Sequence, residues 1–307
     1  MLKVEVDVMS GRPNPQWLVT REEAVENLLR GAAEAPEAIG KIGDGYDGLG
    51  FREVRVSVMG DDPPTQQRLR LPREFALAST SVGDLRTSGD LARRLIEDMP
   101  RRTEVRLLAH ELTPLTPKLR EGLLERLARF LDRPPEFVRP KRPSGNPLRT
   151  TVHDDRCEKC EYEVSQFNPA FWNRPEVQPR NNCYNYGRNW RTDTFAQPGR
   201  AHGAGTSTMA CGTVTTAAMA DGLKKRCNCL PASEYPRRLM ALVIDPGWDY
   251  HWYRHQRGGF WGHKPGQTAA RNYDNSNNVI ANPETCDRGG YTDFCDYFYA
   301  GRSVVIN

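Results

Sequence analysis

Cys183 stands in the polar, turn-forming stretch Asn181-Asn182-Cys183-Tyr184-Asn185-Tyr186, and His251 and His263 follow it at a distance. A thiol becomes a strong nucleophile when an imidazole takes its proton, and the imidazole works best when a third polar group fixes its tautomer. In that pattern Cys183 is the candidate nucleophile, His251 the base and His263 the orienting third member. Asp274 and Asn275 are alternative third members, and the Gln178 side chain is a candidate donor to an oxyanion. The competing reading makes Cys183 a disulfide partner or a small buried hydrophobe. It makes the histidines hydrogen-bonded polar residues in the aromatic cluster of Trp248, Trp252, Phe260 and Trp261.

These side chains depend on the elements that carry them. The Asn181-Asn182 pair predicts a sharp turn into a short helix from Cys183 to about Trp190, whose first N–H groups would stabilise a thiolate. Tyr250 to Gln256 and Phe260 to Lys264 read as a hairpin, with His251, Tyr253 and His255 on one strand face. A three-residue loop, Arg257-Gly258-Gly259, sets Gln256 opposite Phe260 and His263 opposite Tyr253, diagonal to His251. A two-residue Gly258-Gly259 loop would slip the register by one and turn His263 away.

All eight cysteines lie between Cys157 and Cys295. Cys157, Cys160, Cys227 and Cys229 form two close pairs that would suit a structural zinc, or disulfides, with Cys286 and Cys295 as a further bridge. No other cofactor is indicated. The Asp274-Asn275-Ser276-Asn277-Asn278 run lacks the spaced carboxylates of a calcium loop and reads as an Asx-rich turn.

The chain has 307 residues, 23 of them proline and 26 glycine, with a mean hydropathy of −0.69. Loop-rich domains with modest cores follow. A net charge of +4 from 43 basic and 39 acidic residues is a mixed surface, not a nucleic-acid footprint. No apolar run approaches the ~18 residues of a membrane span. The alternating start, Met1-Leu2-Lys3-Val4-Glu5-Val6-Asp7, predicts a strand and not a signal peptide, hence a cytoplasmic protein. The cysteine density argues instead for an oxidising compartment, reached by non-classical export.

Residues 1–133 read as a small α+β module. Strands are expected at Lys3–Met9, Gln16–Val19 and Glu53–Met59, with a helix capped by Thr20 and Glu23. Further helices are expected at Gly89–Asp98 and Thr116–Leu131. His110, its only histidine, has a structural or surface role. Residues 134–156 form a Pro-rich basic linker, and 157–307 the cysteine-rich domain, with a helix at Thr213–Lys225 and a buried strand at Leu239–Ile244.

The order Cys183, His251, His263, with the histidines on adjacent strands, resembles the NlpC/P60 branch of the papain-like cysteine peptidases over residues 150–307. That family usually has Asp-Cys-Ser-Gly where this chain has Asn182-Cys183-Tyr184-Asn185. The resemblance implies an α+β fold in which the cysteine opens a helix packed on an antiparallel sheet. It also implies metal-free cleavage of a peptide or amide substrate by acyl transfer. The expectation is therefore a cysteine-dependent hydrolase. The alternative is a non-catalytic, cysteine-stapled binding or assembly module, such as a toxin component, surface protein or filament subunit. A protein partner would dock through the linker or the N-terminal module.

Overall fold

The computed structural model describes residues 1–60, 69–100, 113–136 and 150–307. His110 and most of the Pro-rich segment lie outside the described residues. The chain divides into two compact units: Met1–Val8 with Pro13–Phe137, and Met9–Arg12 with Val138–Asn307.

Among its described residues the first unit has four antiparallel strands, β1 (Leu2–Asp7), β2 (Gln16–Val19), β3 (Glu53–Val58) and β4 (Glu74–Leu77), in the order β2-β1-β3-β4. Alternation decides what each face carries. Leu2, Val4 and Val6 pair with Val58, Val56 and Val54, all buried. On the other face Asp7 meets Arg52 at 2.6 Å, and Arg55 bridges Asp7, Glu5 and Glu53. Burial alone would raise the Asp7 pKa, but the two guanidinium groups reverse this and hold it at about 2.

Among the described residues this unit has three α-helices: α1 (Glu22–Glu34), α2 (Leu85–Glu97) and α3 (Pro117–Asp132). Thr116 caps α3, its side chain accepting from the Leu119 N–H, with Pro117 in the first turn where a missing N–H costs nothing. Leu119, Leu123, Leu127 and Phe130 form its buried stripe. Two expectations change. The cap of α1 is Arg21, with no side-chain hydrogen bond, in place of the Thr20–Glu23 box. The second helix starts earlier because Asp84 caps it by accepting from the Thr87 N–H.

The second unit is also mixed, with helices and antiparallel sheets. Its main sheet has the order β10-β9-β8-β11-β7, where β7 is Lys224–Lys225, β8 Arg238–Asp245, β9 Asp249–His255, β10 Trp261–His263 and β11 Asp293–Ala300. A separate hairpin pairs β5 (Thr150–Asp154) with β6 (Cys157–Val164). Its helices are α4 (Pro169–Trp172), α5 (Cys183–Arg188) and α6 (Cys211–Ala220). The last is shorter than the expected Thr213–Lys225 helix, because the chain turns at Asp221-Gly222 and then forms β7.

One face of β8 and β9, through Met240, Leu242, Ile244, Tyr250 and Trp252, packs against Cys183 and Tyr184 of α5 and Val214 and Ala218 of α6. The opposite face carries two groups of touching rings, His251 with Tyr253 and His263, and Trp261 with His255 and Tyr297. Three disulfides staple the unit. Cys157–Cys227 and Cys160–Cys229 tie β6 to the Cys227-Asn228-Cys229 turn, and Cys211–Cys295 ties α6 to β11. Of the two alternatives for Cys157, Cys160, Cys227 and Cys229, disulfides are the ones formed, and bridged sulfurs are not thiolate ligands for a structural zinc. The expected Cys286–Cys295 bridge is corrected: Cys295 pairs with Cys211, and Cys286 is a free thiol.

Candidate functional site

The β9–β10 hairpin turns through Arg257-Gly258-Gly259. Gln256 N–H donates to the Phe260 carbonyl, and His263 faces Tyr253. Both glycines take positive φ, 97° and 78°, which the tight turn requires. This is the register that makes the two histidines diagonal neighbours, and His251 Nε2 meets His263 Nδ1 at 2.8 Å.

The network assigns the tautomers. The Tyr273 carbonyl can only accept, so His263 Nε2, 2.9 Å away, carries a proton. Burial, with Arg271 beside it, pushes the His263 pKa down to about 3 and keeps the ring neutral. Its Nδ1 therefore accepts from His251 Nε2–H, and the remaining His251 Nδ1 accepts from the Ser10 hydroxyl. Both histidines are buried, and the base's lone pair is spent on Ser10.

Asp249 anchors the same region. Its buried carboxylate accepts from the backbone N–H groups of Ser10, Gly11 and Arg12 and from the Tyr291 hydroxyl at 2.6 Å. Gly11 is required here by close approach: a Cβ would stand 2.4 Å from the Tyr250 ring. Lys264 is equally sealed, and its ammonium donates to the carbonyls of Gln178, Asn181 and Gly266. These partners satisfy the buried polar groups and fix the arrangement of the loops.

Cys183 opens α5 as the sequence predicts. Asn182 caps the helix in a reciprocal box with Asn185. Its surroundings are the opposite of a nucleophile's. The thiol is wholly buried among Tyr184, Tyr250 and Trp252, with Sγ 4.0 Å from the Tyr250 carbonyl. Burial, reinforced by the Asp249 charge, pushes its pKa far above the ordinary thiol range. The expected accessible thiolate is corrected on that ground.

The remaining candidates are placed elsewhere. The Gln178 side chain donates to the Gln267 carbonyl. Asp274 accepts from the N–H groups of Ser276, Asn278 and Asp287, which is the Asx-rich turn, and the Tyr273 carbonyl takes the position beside His263. Asn275 donates its N–H to the Asp287 carbonyl. Sequence reasoning missed Ser10, Asp249, Tyr291 and Lys264. The one available signal was the turn-forming run that begins Ser10-Gly11-Arg12, and it says nothing about a partner 239 residues away.

Among the described residues no group of three or more histidine, cysteine or acidic side chains is placed to hold a metal ion, and no helix is long and apolar enough to cross a membrane. Three disulfides in one unit mark an oxidising compartment, so the cytoplasmic expectation gives way.

No family model and no solved structure matches the chain. A curated protein does. The insoluble matrix shell protein 1 of Ruditapes philippinarum is 44% identical over 144 residues, a stretch that takes in 95% of that protein and 47% of this chain. A shell matrix relative, with the thiol sealed in the core, overturns the expectation of a cysteine peptidase or amidase and its peptide or amide substrate. At that identity, and with nearly the whole relative covered, the chain belongs to the family of the insoluble matrix shell protein 1.

Proposed function

We propose that this protein is a secreted, non-catalytic structural component of an extracellular shell matrix, with the disulfide-stapled second unit as its assembly module. The observation that carries the reading is the 44% identity to an insoluble matrix shell protein across nearly all of that protein's length. The buried network supports it. Ser10, His251, His263, Asp249 and Lys264 are enclosed and hydrogen-bonded, Lys264 to loop carbonyls and the others to one another or to neighbouring backbone, as suits groups that hold a scaffold rigid. In this reading the short helix on an antiparallel sheet is a scaffold similar to that of the papain-like enzymes, used without their chemistry. The partners are other matrix proteins or further copies of the chain.

The test has two parts. Native oxidised protein is treated with iodoacetamide at about pH 6, where only an activated thiolate reacts rapidly, and modified cysteines are mapped. Cys183 stays unmodified. Separately, antibody to the chain is applied to soluble and insoluble fractions of the source organism's extracellular matrix, and the protein is found in the insoluble one. Selective labelling of Cys183, or confinement of the protein to the cell interior, overturns the reading.

A further inference from the structure

The three bridges differ in what surrounds them. Cys211 and Cys295 are partly buried and pack against the main core. The other two bridges lie side by side and share one architecture: Cys157 and Cys160 are buried on β6, while Cys227 and Cys229 are exposed on a two-bridge strap. Cys227 also holds φ of 70°, a left-handed conformation that a residue with a Cβ adopts at a cost.

The strap has its own anchors. Arg226 N–H donates to the Tyr297 carbonyl, and its guanidinium clasps Asp154 and Asp155. Lys224 and Lys225 pair with Tyr299 and Phe298 of β11. The backbone that carries Cys227 and Cys229 therefore stays in place if the sulfurs part. Exposed bridges on strained backbone are the ones that exchange with outside thiols, while buried ones resist.

We propose that the Cys227-Asn228-Cys229 strap is a thiol–disulfide exchange site whose substrate is an external thiolate. The thiolate attacks the sulfur of the exposed residue Cys227. A new bond joins the two sulfurs, the Cys157–Cys227 bond breaks, and Cys157 leaves with the electron pair and takes a proton from water. Cys229 and Cys160 exchange in the same way. Disulfide count and oxidation state are conserved, so no oxidant is needed. The incoming thiolate comes from a small thiol or from a second copy of the chain. Cys183 is sealed, so the thiols a second copy can offer are Cys286 and strap cysteines already released. The inference holds whether or not the protein is a matrix component.

Oxidised full-length protein is incubated with rising reduced glutathione at about pH 8, quenched, alkylated with iodoacetamide and mapped by peptide mass spectrometry. Cys227 and Cys229 acquire glutathione, and Cys157 and Cys160 become alkylated, at a concentration at least roughly tenfold below that which opens Cys211–Cys295. Native tryptophan fluorescence is retained throughout. A parallel sample receives a trace of pre-reduced protein in place of glutathione. Dimers linked through Cys227 or Cys229 identify a second copy as a source of the thiolate; glutathione adducts without such dimers identify small thiols. Opening of Cys211–Cys295 at the same or lower concentration, or opening of the strap only with loss of the native fluorescence, overturns the proposal.

Discussion

The two units solve the same problem by different means. The first has no cysteine, and its described residues fold around a valine-faced sheet, leucine-striped helices and an ion cluster about Asp7. The second uses three covalent closures and, among the described residues, encloses more polar side chains than the first, among them His251, His263, Lys264 and Asp249. A core of apolar stripes is stabilised by area removed from water. A polar core is stable when nearly all of its donors and acceptors are matched, and its disulfides restrict the unfolded chain. The second unit is thus the more exactly specified and the more vulnerable to loss of a single group.

Removing one covalent closure is the strongest way to probe the contrast. Replacing Cys211 and Cys295 together by serine opens a bridge between residues 84 apart and costs the second unit roughly 2–5 kcal/mol. Hydrogen exchange read by mass spectrometry shows faster exchange in β8, β9 and β11, with the first unit unchanged. Equal loosening of both units would erase the distinction.

Asp249→Asn is the next in size. The substitution keeps the shape and turns an amide N–H₂ toward the N–H groups of Ser10, Gly11 and Arg12. The expected loss is about 2–3 kcal/mol, the worth of hydrogen bonds to a charged group. It is measured by urea unfolding followed through the tryptophans, five of whose six lie in the second unit. A loss under half that size would show that the loop needs no carboxylate.

Acid gives the most diagnostic effect, because it acts on the two units at different pH. Burial holds His255 at about 4 and His263 at about 3, against 6.5 when exposed. Below pH 6.5 the unfolded chain takes protons that the folded one refuses. The stability of the second unit is therefore full above 6.5 and falls as pH drops toward 4 and then 3. Asp7 contributes to the first unit above 3.8, and that contribution is lost only toward pH 2. Glu53, raised by burial, works in the opposite sense. Between pH 6.5 and 4 the second unit loses exchange protection first; earlier loss in the first unit would refute the ordering.

Kinship overturns the hydrolase reading that the sequence allows, and the burial of Cys183 agrees with it. The cysteine, the histidines and their order suit a thiol enzyme, and the histidines do meet. The hydrolase expectation fails on properties of the surroundings: a sulfur wholly buried in a core of aliphatic and aromatic side chains with Ser10 beside it, and an imidazole whose Nδ1 is engaged by Ser10.

Sequence by itself determined the local features. Alternation set the two faces of β9, and Asn182 and Thr116 set helix starts, while the sequence left two hairpin registers open and the structure took the one with the three-residue loop. Each is governed by a few neighbouring residues, whose dihedral preferences and hydrogen bonds act over short range. Tertiary structure decided the rest: which sulfurs pair across 69 to 84 residues, that Ser10 and not Cys183 takes the His251 lone pair, and that Asp249 gathers a loop from the other end of the chain. Residue types do not encode those pairings. They follow from how the whole chain closes, and whether a thiol, imidazole or carboxylate meets water or protein changes its chemistry more than its identity does.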